Sequence, residues 1–529
     1  MKLHGKNLIG PDLAAAGEKT FQACDPRHGQ FLEPVFHEAS GAEVQGAMEL
    51  AGRAAPALAS LKPEAISGFL LAIREEILGL GDGLIERADA ETALGQDRLR
   101  GERDRTVNQI KLFADIVSEG SWVDARIDPA MPDRKPLPRP DIRRMLQPIG
   151  PVVVFGASNF PLAFSVAGGD TVSALAARNP VVVKAHPAHP GTSELVGAAI
   201  MRAVKTRGMP EGAFSMLHSL GTEASIALAT HAKTKAVAFT GSLRAGRALF
   251  DAGARRPNPI PVYAEMGSVN PVFVLPDVLR EKAQPIAEGL YRSVLLGVGQ
   301  FCTSPGLIFG IEGEAFQELV QRLEQMFGEG VPGTMLNSAI CKGFAERFKV
   351  AAAVAGVNVK VSARTGNPQR TEGRPGLLVT NAGTWLNNPE LHEEIFGPAT
   401  VMVGCKSDAD LLQCGRALEG SLTATVHGTA EELAERRELV EVLGTKAGRL
   451  IFNGYPTGVE VGYAMHHGGP YPATTDAKFT SVGATAIYRF ARPVCYQSFP
   501  EQLLPPELQN ANPHKIWRTI DGRPTREPL

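Results

Sequence analysis

The sequence predicts an α/β protein with two parallel-sheet regions, and three features predict it. Short, wholly apolar runs, Val152-Val153-Val154-Phe155 and Pro180-Val181-Val182-Val183, have the make-up of strands buried on both faces. Helix-length segments follow them, at about 170–177 and 193–206, and a third apolar run, Ala236-Val237-Ala238-Phe239, leads into a helix near Arg244. Such βα alternation implies a parallel sheet with helices on both faces, which binds ligands at the carboxyl ends of its strands. A second α/β stretch begins at Pro261-Val262-Tyr263-Ala264-Glu265 and runs to about Gly454, with strands expected at 271–275, 306–311 and 400–403.

The flanking segments read differently. Residues 1–40 suggest short extended pieces joined by turns, and 40–120 carry the spacing of amphipathic helices, as in Phe69-Ile73-Ile77-Leu80. The stretch 124–146 is rich in Pro, Asp and Arg and reads as a protruding arm. The tail from Ser498 is Pro-rich and polar, suited to a surface or an interface. At 529 residues the chain is too long for one core, so two or three domains are expected.

Composition excludes several classes of function. The net charge of −2 and the lack of a basic cluster interleaved with aromatics give no general attraction for nucleic acid or acidic membranes. The N-terminus lacks a signal peptide's apolar core, and the longest apolar stretch, 151–169, is broken by Asn159, Pro161 and glycines, so no membrane span is expected. The six cysteines form no close pair, which argues against a zinc site and fits a reducing compartment, with cytoplasm the expectation.

The most informative segment is Gly299-Gln300-Phe301-Cys302-Thr303-Ser304. Glycines before it and Pro305-Gly306 after it place Cys302 on a turn that a substrate can reach, where a lowered pKa or a nearby base would make it a nucleophile. A buried thiol acting as a small hydrophobe is the alternative. Asn159, in Phe155-Gly156-Ala157-Ser158-Asn159-Phe160-Pro161, places an amide donor after a buried strand, to meet an oxyanion or to close its own turn. Lys184 ends the second strand, where an ammonium either meets ribose hydroxyls or is simply solvated. Thr240-Gly241-Ser242 brings a hydroxyl and backbone N–H groups to a helix start, as a phosphate cradle or as an ordinary Ser cap. Glu265, before the Met266-Gly267-Ser268 turn, is a candidate general base or a plain surface carboxylate. Glu394 and Phe396, in Glu393-Glu394-Ile395-Phe396-Gly397-Pro398, offer a carboxylate for a ribose and a ring for a flat cofactor, or a helix end and a core Phe. His466-His467 abuts a Gly-Gly-Pro loop without identifiable further ligands, so no metal is expected there.

In this order and at this spacing the segments resemble the NAD(P)-dependent aldehyde dehydrogenase superfamily, over nearly the whole chain. The resemblance implies two Rossmann-like parallel-sheet domains and a small oligomerisation arm. A cofactor-binding domain would comprise 1–123 and 147–262, a catalytic domain 263–480, and the arm and tail 124–146 and 481–529. It implies Cys302 as nucleophile, Glu265 as general base and an oxyanion hole from the Asn159 amide and the Cys302 N–H. Lys184 and Glu394 would hold the two riboses, Ser242 the pyrophosphate, and Phe396 would lie near the nicotinamide. Four segments, among them Lys184-Ala185-His186-Pro187-Ala188-His189-Pro190 and His467-Gly468-Gly469-Pro470-Tyr471-Pro472, resemble the subgroup of α-ketoglutaric semialdehyde (2,5-dioxopentanoate) dehydrogenases and related NADP-dependent enzymes. There a histidine has a role near the thiol, and His467 fits it. Pro187, beside His186, stands where the broad family has a ribose-binding Glu, so NADP is expected to be accepted, with NAD still possible. An aliphatic or succinate semialdehyde, a CoA-acylating reaction and a non-catalytic scaffold are the competing readings. Arg292 either meets a substrate carboxylate or forms a surface or interhelical salt bridge, and a homodimer or dimer of dimers is expected.

Overall fold

A computed structural model describes residues 2–367 and 370–529. The first sheet has the strand order Val262–Glu265, Ala236–Thr240, Val152–Phe155, Val181–Lys184, Phe214–Leu217, Asn7–Ile9, Asp12–Ala14. Its first five strands are parallel, and the two N-terminal strands close the edge antiparallel. Side-chain alternation divides the runs between two layers. Val152 and Val154 join the core under helices Pro63–Leu78, Gln96–Glu119 and Pro190–Thr206, whereas Val153 and Phe155 pack with helices Gly41–Ala59 and Leu243–Ala254. Burial on both faces is why these strands are continuously apolar.

The chain moves outward from Val152–Phe155 through Val181–Lys184 to Phe214–Leu217, then returns to the other side with Ala236–Thr240. The loops after Phe155 and Thr240 therefore diverge and open a crevice at the carboxyl edge. Phe214–Leu217 and helix Thr222–Thr230 were not legible in the sequence, because Phe-Ser-Met-Leu is no apolar run and gives no clean alternation.

The second sheet runs Asn358–Val361, Gly376–Asn381, Ala399–Cys405, Leu307–Ile311, Val272–Val274, Ser421–His427, Ala447–Phe452, all parallel except the first. Phe273 stacks on Phe309 at 4.9 Å, and Trp385 meets Phe309 edge-on at 5.1 Å. A third sheet joins the arm to the tail, in the order Ala491–Gln497, Ile142–Pro148, Arg126–Asp128, Arg518–Ile520, Arg523–Thr525.

One buried amide ties the tail to the first sheet. Asn179 accepts from Gly150 N–H through Oδ1 at 2.8 Å and donates through Nδ2 to the carbonyls of Ala174, Ala177 and Phe490. Its removal strands several buried polar groups, each costing about 1–3 kcal/mol. Asn179→Ala is expected to lower stability by at least about 2 kcal/mol in chemical denaturation; an unchanged midpoint would show that the tie is dispensable.

Candidate active site

Cys302 follows helix Pro276–Leu295 and the 3-10 turn Leu296–Gly299. Gly299 has φ +69°, and a Cβ there would lie 2.0 Å from the Gly397 carbonyl oxygen. Only a glycine permits that approach, and it brings the Glu394–Phe396 segment to the thiol loop. The far side of the loop is held by Asn270, whose Nδ2 donates to the carbonyls of Cys302 at 2.8 Å and Ser304 at 3.0 Å. Cys302 is half-buried, so its sulfur is deep yet reachable.

Glu265 comes from the other sheet. It ends the edge strand, in register with Thr240, as Lys184 is with Phe155, so three prospective site residues, Glu265, Thr240 and Lys184, stand on one carboxyl edge. The two sheets meet through the segment following His466. Met266 N–H donates to Ala473 O and Thr475 N–H to Ala264 O, while Gly420 N–H, beside the second sheet, donates to Tyr471 O. This segment carries His467 between the lobes. Its Nε2 lies 3.1 Å from Glu265 Oε1 and 3.5 Å from Cys302 Sγ. The sulfur, imidazole and carboxylate donor atoms lie within 4.8 Å of one another, giving His467 the neighbours that the sequence reading could not supply. His466 instead packs against Gly448 and Gly468.

Burial pushes the Glu265 carboxyl up, but the His467 charge and hydrogen bonds from His467, Ser481 and Cys302 outweigh it, and the pKa falls below the usual carboxylate range. The Cys302 thiol is driven well above its ordinary value by burial and by the charges of Glu265 and Glu394, against the opposing charge of Arg105. The resting site therefore holds a carboxylate and a protonated thiol.

Asn159 Nδ2 donates to Gln300 O at 3.0 Å, placing the amide beside the residues that precede Cys302, and leaves its second N–H for another acceptor. Glu394 lies over the Gly267-Ser268 turn, where a Gly267 Cβ would come within 2.7 Å of its Oε2. Burial pushes its pKa up to about 8 against a hydrogen bond from the Ser268 backbone. Phe396 is half-buried beside it. Ser242 is exposed and caps helix Leu243–Ala254, its Oγ accepting from Ala245 N–H at 3.4 Å, with Thr240 and Gly241 leading into it.

Lys184 has no hydrogen bond or ion pair among the described residues, and burial pushes its pKa down to about 8 while Glu38 opposes the fall. A half-buried ammonium without acceptors beside a crevice at the switch point fits a dinucleotide's ribose hydroxyls. His186 stacks on His189 at 5.5 Å and accepts from Ala188 N–H; burial, His189 and Lys184 keep it neutral.

Sequence reading missed Ser481, Asn270, Glu38, Arg98 and Arg105, which reach the site from distant segments and carry no local motif. Only Asn270 had a hint, a residue able to adopt φ 44° just before the Val272–Val274 strand. For Arg292 the salt-bridge reading holds. It is exposed on helix Pro276–Leu295 and pairs with Glu288 one turn back, so it does not face the thiol.

With this geometry in view, comparison with known proteins is informative. The aldehyde dehydrogenase family profile matches residues 13–471. An alpha-ketoglutaric semialdehyde dehydrogenase 2 of Azospirillum brasilense is 49% identical over 99% of this chain and 100% of its own length. An alpha-ketoglutaric semialdehyde dehydrogenase of Acinetobacter baylyi is 42% identical over 98% of each. Among solved structures, PnpE in complex with nicotinamide adenine dinucleotide superposes with a TM-score of 0.79 at 20% identity, covering 94% of this chain and 97% of its own, a likeness of fold.

The charges around the sulfur make a testable statement. In the free protein, alkylation of Cys302 by iodoacetamide, followed by peptide mapping, should be slow at neutral pH and keep rising beyond the ordinary thiol range. Glu265→Gln removes one of the charges that hold the proton on sulfur, so alkylation near neutrality should speed up about tenfold per pKa unit. A slower rate in that variant would reverse the electrostatic assignment.

Proposed function

The chain belongs to the aldehyde dehydrogenase family, and we propose that within it the protein oxidises α-ketoglutaric semialdehyde (2,5-dioxopentanoate) to 2-oxoglutarate. The observation that carries the chemistry is the convergence of Cys302, His467 and Glu265 from two sheets onto one point. Identities of 49% and 42% over full length to two proteins named for that aldehyde carry the substrate.

Cys302 adds to the aldehyde carbon, its proton passing to the His467–Glu265 pair. The resulting oxyanion is met by the free N–H of Asn159 and the Cys302 backbone N–H, a contact of about 3–4 kcal/mol in well-characterised sites. A nicotinamide dinucleotide, when bound, accepts the hydride that the adduct expels. The thioester left on Cys302 is hydrolysed by water that Glu265 activates, and Ser481 orients that carboxylate by donating to Oε2. His467, anchored at its backbone by Thr480 Oγ1, holds Glu265 and the sulfur at matched distances.

For the dinucleotide, Lys184 and Glu394 are assigned to the two riboses, Thr240, Gly241 and Ser242 to the pyrophosphate, and Phe396 to the nicotinamide side. His186 is assigned to the adenosine side, beside Pro187, which stands in place of a ribose-binding carboxylate and so favours acceptance of NADP. Glu38 complicates that assignment. It accepts from Ser219 Oγ and the N–H groups of Leu220 and Gly221, and its charge reaches Lys184. The sequence reading placed no carboxylate there. The arm and tail sheet is assigned to contact between subunits of a homodimer or dimer of dimers. No helix among the described residues is long and apolar enough to cross a membrane.

Cys302→Ser should abolish dehydrogenase turnover with dinucleotide binding intact, and Glu265→Gln should give one burst of reduced cofactor and then slow steady turnover. Sustained turnover in the first, or rapid steady turnover in the second, removes that residue from the scheme. Across 2,5-dioxopentanoate, succinate semialdehyde, aliphatic and aromatic aldehydes, kcat/KM should be highest for the first; a higher value for another class would replace the substrate.

The cofactor reading is checked by the ratio of kcat/KM with NADP to that with NAD. Glu38→Gln, which removes a negative charge near Lys184, should raise it several-fold. An unchanged ratio would place the 2′-phosphate away from Glu38.

A further inference from the structure

Arg98 and Arg105 lie two turns apart on helix Gln96–Glu119 and bracket one aromatic ring. The Arg98 guanidinium stands 5.1 Å from the Phe160 ring and 4.8 Å from Phe301; that of Arg105 stands 5.8 Å from Phe160 and 5.1 Å from Phe164. These rings form the wall of the reaction centre. Phe160 adjoins Asn159, Phe301 adjoins Cys302, and Phe164 lies 6.1 Å from the His467 ring.

Arginines near this wall differ in what their nitrogens do. Arg98 Nη2 donates to Asn159 O at 2.7 Å, while its Nη1, beside Gly297, is buried without an acceptor. Arg449, whose charge also reaches Cys302, donates to Pro456 O at 2.8 Å and Gly458 O at 3.2 Å. Arg105 makes no hydrogen bond or ion pair among the described residues, and its Nε and Nη2 are buried without acceptors. Glu102, three residues before it, does not satisfy it. That carboxylate is fully buried and its Oε1 accepts from Leu162 and Ala163 N–H. A guanidinium held between two rings, with two of its nitrogens buried and unpaired, is suited to a planar anion.

We propose that Arg105 binds the carboxylate at the far end of the aldehyde substrate and selects acid-bearing semialdehydes over neutral aldehydes of the same length. The proposal rests on the substrate reading given above. A five-carbon keto-acid aldehyde spans about 5 Å from carbonyl to carboxylate, comparable to the 5.8 Å between the Arg105 guanidinium and the ring of Phe160, the residue after Asn159. The charge is also needed for balance. Glu265 is held ionised beside the same sulfur and would repel an anionic substrate, and the exposed Glu460 lies within reach of Arg105.

The test compares wild type, Arg105→Met and Arg105→Lys on 2,5-dioxopentanoate, succinate semialdehyde and pentanal, with NADP binding and thermal midpoint as folding controls. Arg105→Met should lower kcat/KM for the acid aldehydes by about 10–100-fold more than for pentanal, chiefly through KM; the smaller loss shared by all aldehydes reflects the charge that Arg105 sets near Cys302. Arg105→Lys should fall between. Affinity for 2-oxoglutarate, titrated at equilibrium without turnover, should drop in parallel. Equal losses on acid and neutral aldehydes, or unchanged selectivity in a folded Arg105→Met, overturn the proposal. The substrate reading fails separately, in wild type: a preference for succinate semialdehyde replaces the substrate and leaves Arg105 to be judged on that acid, whereas a wild-type preference for pentanal overturns both.

Discussion

The contact of one imidazole nitrogen with both a carboxylate and a thiol is the constraint on which the site depends. His467 Nε2 is 3.1 Å from Glu265 and 3.5 Å from Cys302, and a single N–H cannot serve both. With Glu265 held ionised, the N–H belongs to the carboxylate, and the sulfur keeps its own proton. That division agrees with the opposite displacements of the two groups, carboxyl down and thiol up. A resting nucleophile of this kind is protected from oxidants, which attack thiolates faster than thiols. It reacts only when its proton has somewhere to go, and the nearest acceptor is the His467–Glu265 pair.

Because Glu265 belongs to one sheet and Cys302 to a loop of the other, the contact is only as precise as the joint between them. That joint is backbone hydrogen bonding along the segment carrying His467, at Ala264, Met266 and Gly420. Backbone bonds of this kind depend on no side-chain identity. Where residue type does matter is at Gly299, whose missing Cβ lets the thiol loop touch Gly397, and at Asn270, which fixes the carbonyls on either side of Thr303. Nucleophile, oxyanion donor and the Glu394 segment are thus set by a few close approaches and not by a large surface.

What the sequence made legible follows from range. Strands buried on both faces announce themselves as valine runs, and a cysteine among glycines announces a turn, because each signal is contained within a few residues. Phe214–Leu217 carries no such signal and is a strand because Val181–Lys184 offers it an edge. Ser481 meets Glu265 across 216 residues and Asn159 meets Gln300 across 141; neither pairing leaves a local pattern. Arg292 shows the opposite case. It is near Cys302 in the chain, but helix Pro276–Leu295 turns its side chain to solvent, where Glu288 one turn back neutralises it. Proximity in sequence was a poor guide to aim, and Arg105, nearly two hundred residues before the thiol, has the charge that the sulfur feels.

The distribution of charge explains why a cation is required on that side. The ionised Glu265 already opposes a thiolate, and burial opposes it further. An anionic aldehyde would add a second negative charge to a desolvated space, where like charges act strongly. Arg98 and Arg449 are already engaged with backbone oxygens. Each such bond leaves the guanidinium charge in place but uses donors that a substrate would need. Arg105 retains both charge and donors, while Glu102 is buried deeply enough for its carboxyl pKa to be raised, which weakens it as a counter-ion. The field at the sulfur is therefore balanced from one helix, on which a single unpaired guanidinium both eases ionisation of the nucleophile and offers a partner for the substrate's own charge.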